Sequence, residues 1–525
     1  MHPEIRTTEP PLHPPYGILQ LAAITDQLGH KIAIMDNNAY RLPIDSIREE
    51  IKHDQWDIIG IGGLTTQYRF VKEILPVARD EHPDALIVGG GGFLTAQPIQ
   101  MMKWLPELDI GSVGESYITW AEILEHAERR DWKHIKGIVY RQGKQAKLSP
   151  MRPLISSKDL DEEIPFPAYE FSPIDVYLQN SMIPYCPETM TPSVRRLDVL
   201  TSYGCPWSCS FCFHLGQSPG CQSKIYNQKV LGPPFRQHTP EYVCNLIQHL
   251  RMQYCINFVS FIDENLTSNR KWFFEFCDKL EETGLATLIK WGMVCHTKTV
   301  DPQLLQIGKD HGCCYISYGG ETRSQHLLDK IGKGQTKEQM EAAITATQAA
   351  GINPIMSFII GFPETTIDDV IGDCQFFIDN RIHVMPFFLQ PYPGSRLYTE
   401  HLDEIIRQNL KDSDEESIVF RDRDIDFSIF KKVMELHGIK EPITKSWMTK
   451  HLNEIQTKLK DEALERWIMN LDDATKMSVN LTDFNDVELA GLRYMLQMWE
   501  IERLKKFKEL IDNKNAHALA HAIDG

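Results

Sequence analysis

Gly204-Cys205-Pro206-Trp207-Ser208-Cys209-Ser210-Phe211-Cys212 is the stretch around which this 525-residue sequence organises itself. Three cysteines fall within eight residues, directly after a β-rich run, Leu197-Asp-Val-Leu-Thr201. Three thiolates so spaced on a loop can converge on one metal centre, and thiolate is the usual ligand of iron–sulfur clusters. A [4Fe–4S] cluster held by only three cysteines leaves one iron open to a small molecule. The competing reading is zinc, with His214 or Cys221 as fourth ligand. Structural zinc favours paired CxxC knuckles, and the sequence offers no second pair.

Outward from that loop, β-rich runs alternate with helical segments as far as Tyr398. The expected strands are Leu197–Thr201, Asn257–Phe261, Ile289–Met293, Cys314–Tyr318, Ile355–Ile360 and Val384–Leu389. Helical patterns lie between them at Pro240–Met252, Lys271–Thr283, Pro302–His311, Lys337–Ala350 and Ile367–Asn380. Six strands with intervening helices predict a partial (β/α)6 barrel over residues 195–398, with chemistry at the carboxyl ends of the strands. The cysteine loop follows the first of them.

Residues 1–150 show a second alternation. Lys31–Met35, Asp57–Ile61 and Ala85–Val88 read as strands, and glycine-rich turns follow the latter two: Gly62-Gly63 and Gly89-Gly90-Gly91-Gly92. Strands buried on both faces and separated by amphipathic segments predict an α/β, doubly wound, Rossmann-like parallel sheet. Its ligand would sit beyond the strand ends, where the glycines are. Residues 151–194, rich in proline and acidic residues, read as a linker. Residues 399–525 are charged and mainly helical, with an apolar stripe on a long helix from about Asp486 to Leu510.

Composition narrows the class. A formal net charge of −17 argues against gripping nucleic acid over a wide surface. No apolar run is long enough to span a bilayer and the start lacks a signal-peptide pattern, so a cytoplasmic location is expected. Twelve cysteines in such a chain do not suggest a disulfide framework. Nine of them, scattered singly or as the Cys313-Cys314 pair, read as buried small hydrophobes.

With CxxxCxxC at the mouth of a β/α barrel, residues 195–398 resemble the radical S-adenosylmethionine (SAM) superfamily. The resemblance implies a [4Fe–4S] cluster on Cys205, Cys209 and Cys212, whose open iron chelates SAM. Cleavage then yields methionine and a 5′-deoxyadenosyl radical. The same resemblance nominates SAM contacts at Phe211 in the loop, Asp263 and Glu264 after the second strand, and Glu321 in Gly319-Gly320-Glu321-Thr322 after the fourth. Gly361 and Glu364 come from Gly361-Phe-Pro-Glu364-Thr365 after the fifth, and Pro391-Tyr-Pro-Gly394-Ser395 resembles the closing turn after the sixth. His214 and His296 also follow barrel strands.

The N-terminal half is similar to cobalamin (B12)-binding domains fused to such barrels. Pro14-Pro15-Tyr16-Gly17, Gly89-Gly90-Gly91 and Gly114-Glu115 carry the likeness. It implies cobalamin contacts at Gly17, Leu64, Thr65, Thr66, Gln67, Gly89, Gly90, Gly91, Gly114 and Glu115. There is no Asp-x-His-x-x-Gly to offer cobalt a histidine, which leaves its lower face to the Leu64–Tyr68 loop or to water. Together the two resemblances imply a cobalamin-dependent radical SAM methyltransferase acting through methylcobalamin on an unactivated carbon or phosphorus. Its partners would be a small-molecule or peptide substrate and an electron donor such as flavodoxin or ferredoxin. The rivals are a non-methylating rearrangement, cyclisation or carbon–carbon coupling on the same architecture, and a cobalamin-binding sensor or carrier with an inactive barrel. A methylthiotransferase lacks support, since the first cysteine is Cys186.

Overall fold

The computed structural model describes residues 13–401, apart from 180–185, 190–192, 214–215, 361, 366–368, 370–371, 374–375, 377–379, 381 and 390–391. The expected C-terminal helices lie outside the described residues. The chain divides into a first unit of Met1–Ser181, Arg195–Ser268 and Pro391–Arg421, and a second of Met182–Val194, Asn269–Gln390 and Asp422–Gly525.

In the first unit, β1 (Ile58–Gly63), β2 (Leu86–Gly91), β3 (Ile110–Ser112), β4 (Ile138–Gln142) and β5 (Gln145–Leu148) form one sheet in that order. Side chains alternate across β2, so Ile87 serves one face while Leu86 and Val88 serve the other. Ile87 packs with Val71, Leu75 and Ala78 of the helix Tyr68–Glu81 and with Met101 and Met102 of Pro98–Trp104. Leu86 and Val88 pack with Ile110, Ile123, Trp132 and Ile135. Both faces are therefore covered, as a doubly wound sheet requires.

Two details depart from the expectation. β1, β2 and β3 run parallel, but β4 and β5 close the edge as an antiparallel hairpin that turns at Gly143, φ 63°. Lys31–Met35 forms no strand. Its alternation is real, since Ile32 and Ile34 turn inward, but they pack against Ala22, Ala23 and Ala168 and pair with no ladder.

The segment expected as a linker is pinned down. Tyr169 is fully buried and its hydroxyl donates to the Asp198 carbonyl at 3.0 Å. Asp161 pairs with His238 at 2.7 Å and also accepts from the Thr239 backbone N–H. The segment's helix Ile174–Leu178 packs along the first barrel strand, β6 (Arg196–Val199).

Strand β6 pairs in parallel with β9 (Phe258–Phe261) across the helix Pro240–Tyr254. That helix starts where Thr239 Oγ1 accepts from the Tyr242 N–H at 3.2 Å and Pro240 occupies the first turn, a cap worth about 1 kcal/mol. Between them comes an unexpected antiparallel pair, β7 (Ser202–Gly204) and β8 (Phe235–Gln237). This pair brackets the cysteine loop.

In the second unit, β10 (Lys290–Cys295), β11 (Cys313–Glu321), β12 (Asn353–Ile360) and β13 (His383–Phe388) lie side by side in chain order, all parallel. The helices Pro302–Asp310 and Lys337–Ala349 connect them as expected. Trp291 of β10 is fully buried against the rings of Phe273 and Phe276 from the helix Arg270–Glu282. All six barrel strands read from the sequence are present, within a few residues of their expected ends.

Candidate functional site

Cys205, Cys209 and Cys212 lie between β7 and the helix Pro219–Tyr226, each half-buried. Of the other described cysteines, Cys255 is exposed and the remaining seven are buried. A turn closes the loop, with the Cys212 N–H donating to the Cys209 carbonyl at 3.2 Å. Its entrance is at Gly204, φ 80°, where a Cβ would stand 2.3 Å from the Pro234 carbonyl oxygen. Only glycine fits there. Cys221 is a buried residue of the helix that follows, and His214 lies outside the described residues. Among the described residues, no three His, Cys, Asp or Glu side chains converge tightly enough for a single metal ion.

The segment after the last barrel strand straps this loop down. The Leu397 N–H donates to the Ser210 carbonyl at 2.8 Å, and Gly394 lies against the Phe213 ring, where a Cβ would sit 2.7 Å from it. Tyr398 is buried with Ile87, Met101 and Leu105 in the core of the N-terminal sheet. The far end of the loop rests on that sheet as well. At Gly216 a Cβ would lie 3.0 Å from the Gly114 Cα and 2.9 Å from Thr95 Cγ2.

Asp263, just beyond β9, is buried and faces back toward the strand leading into the loop. Its Oδ1 accepts from the Thr201 N–H at 3.0 Å, from Thr201 Oγ1 at 2.7 Å and from Ser202 Oγ. Its Oδ2 has no hydrogen-bond partner. Burial pushes its carboxyl up to about 6, against the lowering effect of these donors. Glu264 beside it is exposed, and Phe211 is half-buried.

In the second unit, Glu321 ends β11 in the left-handed region, φ 64°, and accepts from Lys333 Nζ at 2.6 Å, both side chains being buried. Gln335 holds the same turn by donating to the carbonyls of Gly319 and Gly320. His296 has both ring nitrogens engaged, Nδ1 with the Lys298 N–H and Nε2 with the Lys333 carbonyl. Burial, aided by Lys333, drops it to about 4, so it is neutral. Glu364 is exposed and pairs with Lys330 and His326, and Lys330 lowers its pKa. Gly361 lies outside the described residues.

The N-terminal candidates gather at the carboxyl ends of β1, β2 and β3, with Gly17 starting the helix Tyr16–Gln27. They divide by role. Gly91, φ 86°, lets β2 touch β1, since a Cβ there would meet the Gly63 oxygen at 2.6 Å. Gly89 is packed against Leu94 and Leu108. Glu115 is buried and paired with Arg236. The accessible members are different: a Cβ at Gly17 or Gly90 would meet nothing within 4 Å, Leu64 is 53 % exposed, and Thr65 is half-buried. Gln67 uses its side-chain oxygen to accept from the Leu64 N–H at 2.8 Å. Of Thr66, only its place in the short helical turn Thr65–Gln67 is described.

These features fit the two groups that the sequence implies. Three half-buried thiols on one glycine-gated loop are the donor set of a thiolate-held cluster. Nothing lies within 4 Å of a Cβ placed at Gly17 or Gly90, and Leu64, Ile18 and Phe70 of the same unit are exposed apolar side chains, so these positions leave room for a large flat ring. Sequence reading overlooked Thr201, Ser202, Gly216 and Arg236. Only the glycine carried a local signal.

Comparison with known proteins agrees with both halves. Residues 5–124 match the B12 binding domain and residues 199–377 match the Radical SAM superfamily. An uncharacterised methyltransferase of Pyrococcus horikoshii is 29% identical over 387 residues, covering 73% of this chain and 78% of that protein. An anaerobic magnesium-protoporphyrin IX monomethyl ester cyclase of Rubrivivax gelatinosus is 27% identical, covering 77% of this chain and 68% of its own length. In fold, the chain is similar to the radical SAM methyltransferase TsrM of Kitasatospora setae with cobalamin and [4Fe–4S] cluster bound. That match has a TM-score of 0.58 at 17% identity, over 77% of this chain and 73% of that one.

Proposed function

We propose, from the premise that this chain is a radical SAM protein with an N-terminal B12-binding domain, that it is a cobalamin-dependent methyltransferase of an unactivated carbon or phosphorus centre. The observation that carries the reading is the meeting of two loops within one unit. The three-thiol loop rests through Gly216 on Gly114, at the strand-end loops of the B12-binding domain. When bound, the cluster supplies the electron that cleaves SAM and the cobalamin carries the methyl group.

The residues' own part is binding and exclusion. Cys205, Cys209 and Cys212 would hold the cluster. Gly17 and Gly90 would leave room for the corrin, and the exposed Leu64 would offer it an apolar contact. Asp263, tied to Thr201 and Ser202, holds the strand that enters the cluster loop. Its Oδ2 is buried without a hydrogen-bond partner, an acceptor that SAM would reach only if the strand end opened. Glu264, Glu321 and Glu364 stand as further SAM candidates, although Glu321 is committed to Lys333 and Glu364 to Lys330. A small-molecule or peptide substrate and a low-potential donor such as flavodoxin or ferredoxin complete the proposal. No helix among the described residues is long and apolar enough to cross a membrane.

Similarity to the Rubrivivax gelatinosus cyclase favours a second reading, a non-methylating ring closure on the same framework. Anaerobic incubation with methyl-deuterated SAM and a reductant, scored by mass spectrometry over candidate substrates, separates them. Label in the product together with S-adenosylhomocysteine is the expected result. 5′-Deoxyadenosine with an unlabelled, cyclised product would replace the methyl-transfer reading with the second one.

A further inference from the structure

The fully buried guanidinium of Arg236, on β8, touches both sides of the junction between the cluster loop and the N-terminal sheet. Nη1 donates to Glu115 Oε1 at 2.9 Å, to Oε2 at 3.0 Å and to the Ile155 carbonyl at 2.7 Å. Nη2 donates to the Gln217 carbonyl at 3.0 Å. The Ile155 N–H in turn donates to Glu115 Oε2 at 2.9 Å, and the guanidinium lies 5.7 Å from the Tyr203 ring centroid. One side chain thus holds the carbonyl five residues beyond Cys212 and the carboxylate next to Gly114. Beside it, the chain at Gly216 lies so close to Gly114 that a Cβ at Gly216 would stand 3.0 Å from the Gly114 Cα and 2.9 Å from Thr95 Cγ2.

Such a pair is a poor source of stability, because desolvating two charges offsets most of their attraction. What it does provide is register. The partners are fixed in number and direction, and sliding either loop leaves a buried charge unpaired. We propose that Arg236, anchored by Glu115, is a positioning residue that sets the separation and orientation of the cluster loop relative to the cobalamin-binding loops. Both side chains are buried and engaged with protein partners. The pair governs how efficiently radical formation on one side is coupled to methyl delivery on the other. This rests on the two-cofactor reading above.

The test uses the full-length holoenzyme loaded anaerobically with iron, sulfide and cobalamin. Arg236→Lys keeps the charge opposite Glu115 but cannot bridge to Gln217 as well. Gly216→Ala perturbs the same junction from the backbone, and reads the proposal independently if the lysine variant fails to fold. The readout is the magnetic interaction between reduced cluster and cob(II)alamin, from the relaxation of the cobalt electron paramagnetic resonance signal, alongside methyl transferred per 5′-deoxyadenosine formed. Both variants are expected to keep wild-type iron and cobalt contents, to show altered relaxation, and to lose on the order of tenfold to a hundredfold in that ratio, as small misplacements do. Unchanged relaxation and ratio in both variants, or loss of cofactor from both, assigns the pair a structural role and overturns the proposal. Wild-type protein that loads iron without cobalt overturns the two-cofactor reading itself, and shows this before any variant is made.

Discussion

Replacing Asp263 with asparagine isolates the electrostatics at the root of the cluster loop. The substitution keeps an oxygen where Oδ1 accepts from Thr201 and Ser202 and removes only the titrating charge. Burial lifts the aspartate from an ordinary value of 3.8 to about 6. A carboxyl raised on folding favours the native state in its neutral form. That contribution is complete below 3.8 and is lost as pH rises through 6. A rise of this size is worth about 3 kcal/mol in full, of which about 1.4 kcal/mol falls between pH 5 and pH 8. Urea unfolding of the two proteins without added cofactors, at pH 5 and pH 8, measures it. The stability of Asp263→Asn relative to wild type should improve by about 1.4 kcal/mol at the higher pH. A difference independent of pH, or one moving the opposite way, would refute the claim that burial raises this carboxyl's pKa.

Other expectations follow from the same geometry. Gly204→Ala drives a Cβ into the Pro234 carbonyl at a left-handed backbone, so iron bound after reconstitution should fall to a small fraction of wild type while cobalt stays bound. Gly90→Leu fills open space, so it should cut cobalt loading at least about tenfold without lowering the urea midpoint, as expected for a side chain that obstructs a ligand and nothing else. Glu321→Gln leaves Lys333 buried without its countercharge and should cost roughly 3–5 kcal/mol by urea unfolding. Glu364→Gln, exposed, should leave the unfolding midpoint unchanged, and SAM cleavage by that variant then reports directly on any contact with SAM.

The sequence was legible where local chemistry and local periodicity coincide. The six barrel strands stood out as apolar runs between helical patterns, and the three cysteines read as cluster ligands because thiolates in that spacing have few other uses. The glycines expected as turns after the first two strands are instead the paired last residues of β1 and β2, and only Gly92 lies beyond. What failed was whatever depends on a distant partner. Lys31–Met35 has the alternation of a strand, but its isoleucines are covered by a helix and Ala168, with no neighbouring strand. Strands β7 and β8 are three residues each and pair only because the chain returns after a thirty-residue excursion. Arg236 reads as an ordinary charge, and nothing near it in sequence names Glu115, 121 positions away. Glu115, which the resemblance places at the cobalamin, is buried in that ion pair. Residues 151–194 read as a linker packed on the surface, and within them Leu160, Ile164 and Tyr169 are completely buried.

The most direct test of the central claim is metal analysis of the anaerobically reconstituted protein, wild type beside a Cys205→Ala, Cys209→Ala, Cys212→Ala variant. The account predicts about four irons and one cobalt per wild-type chain, and in the variant the loss of iron with cobalt retained. Zinc in place of iron in the wild type, or iron that persists without the three thiols, would contradict it.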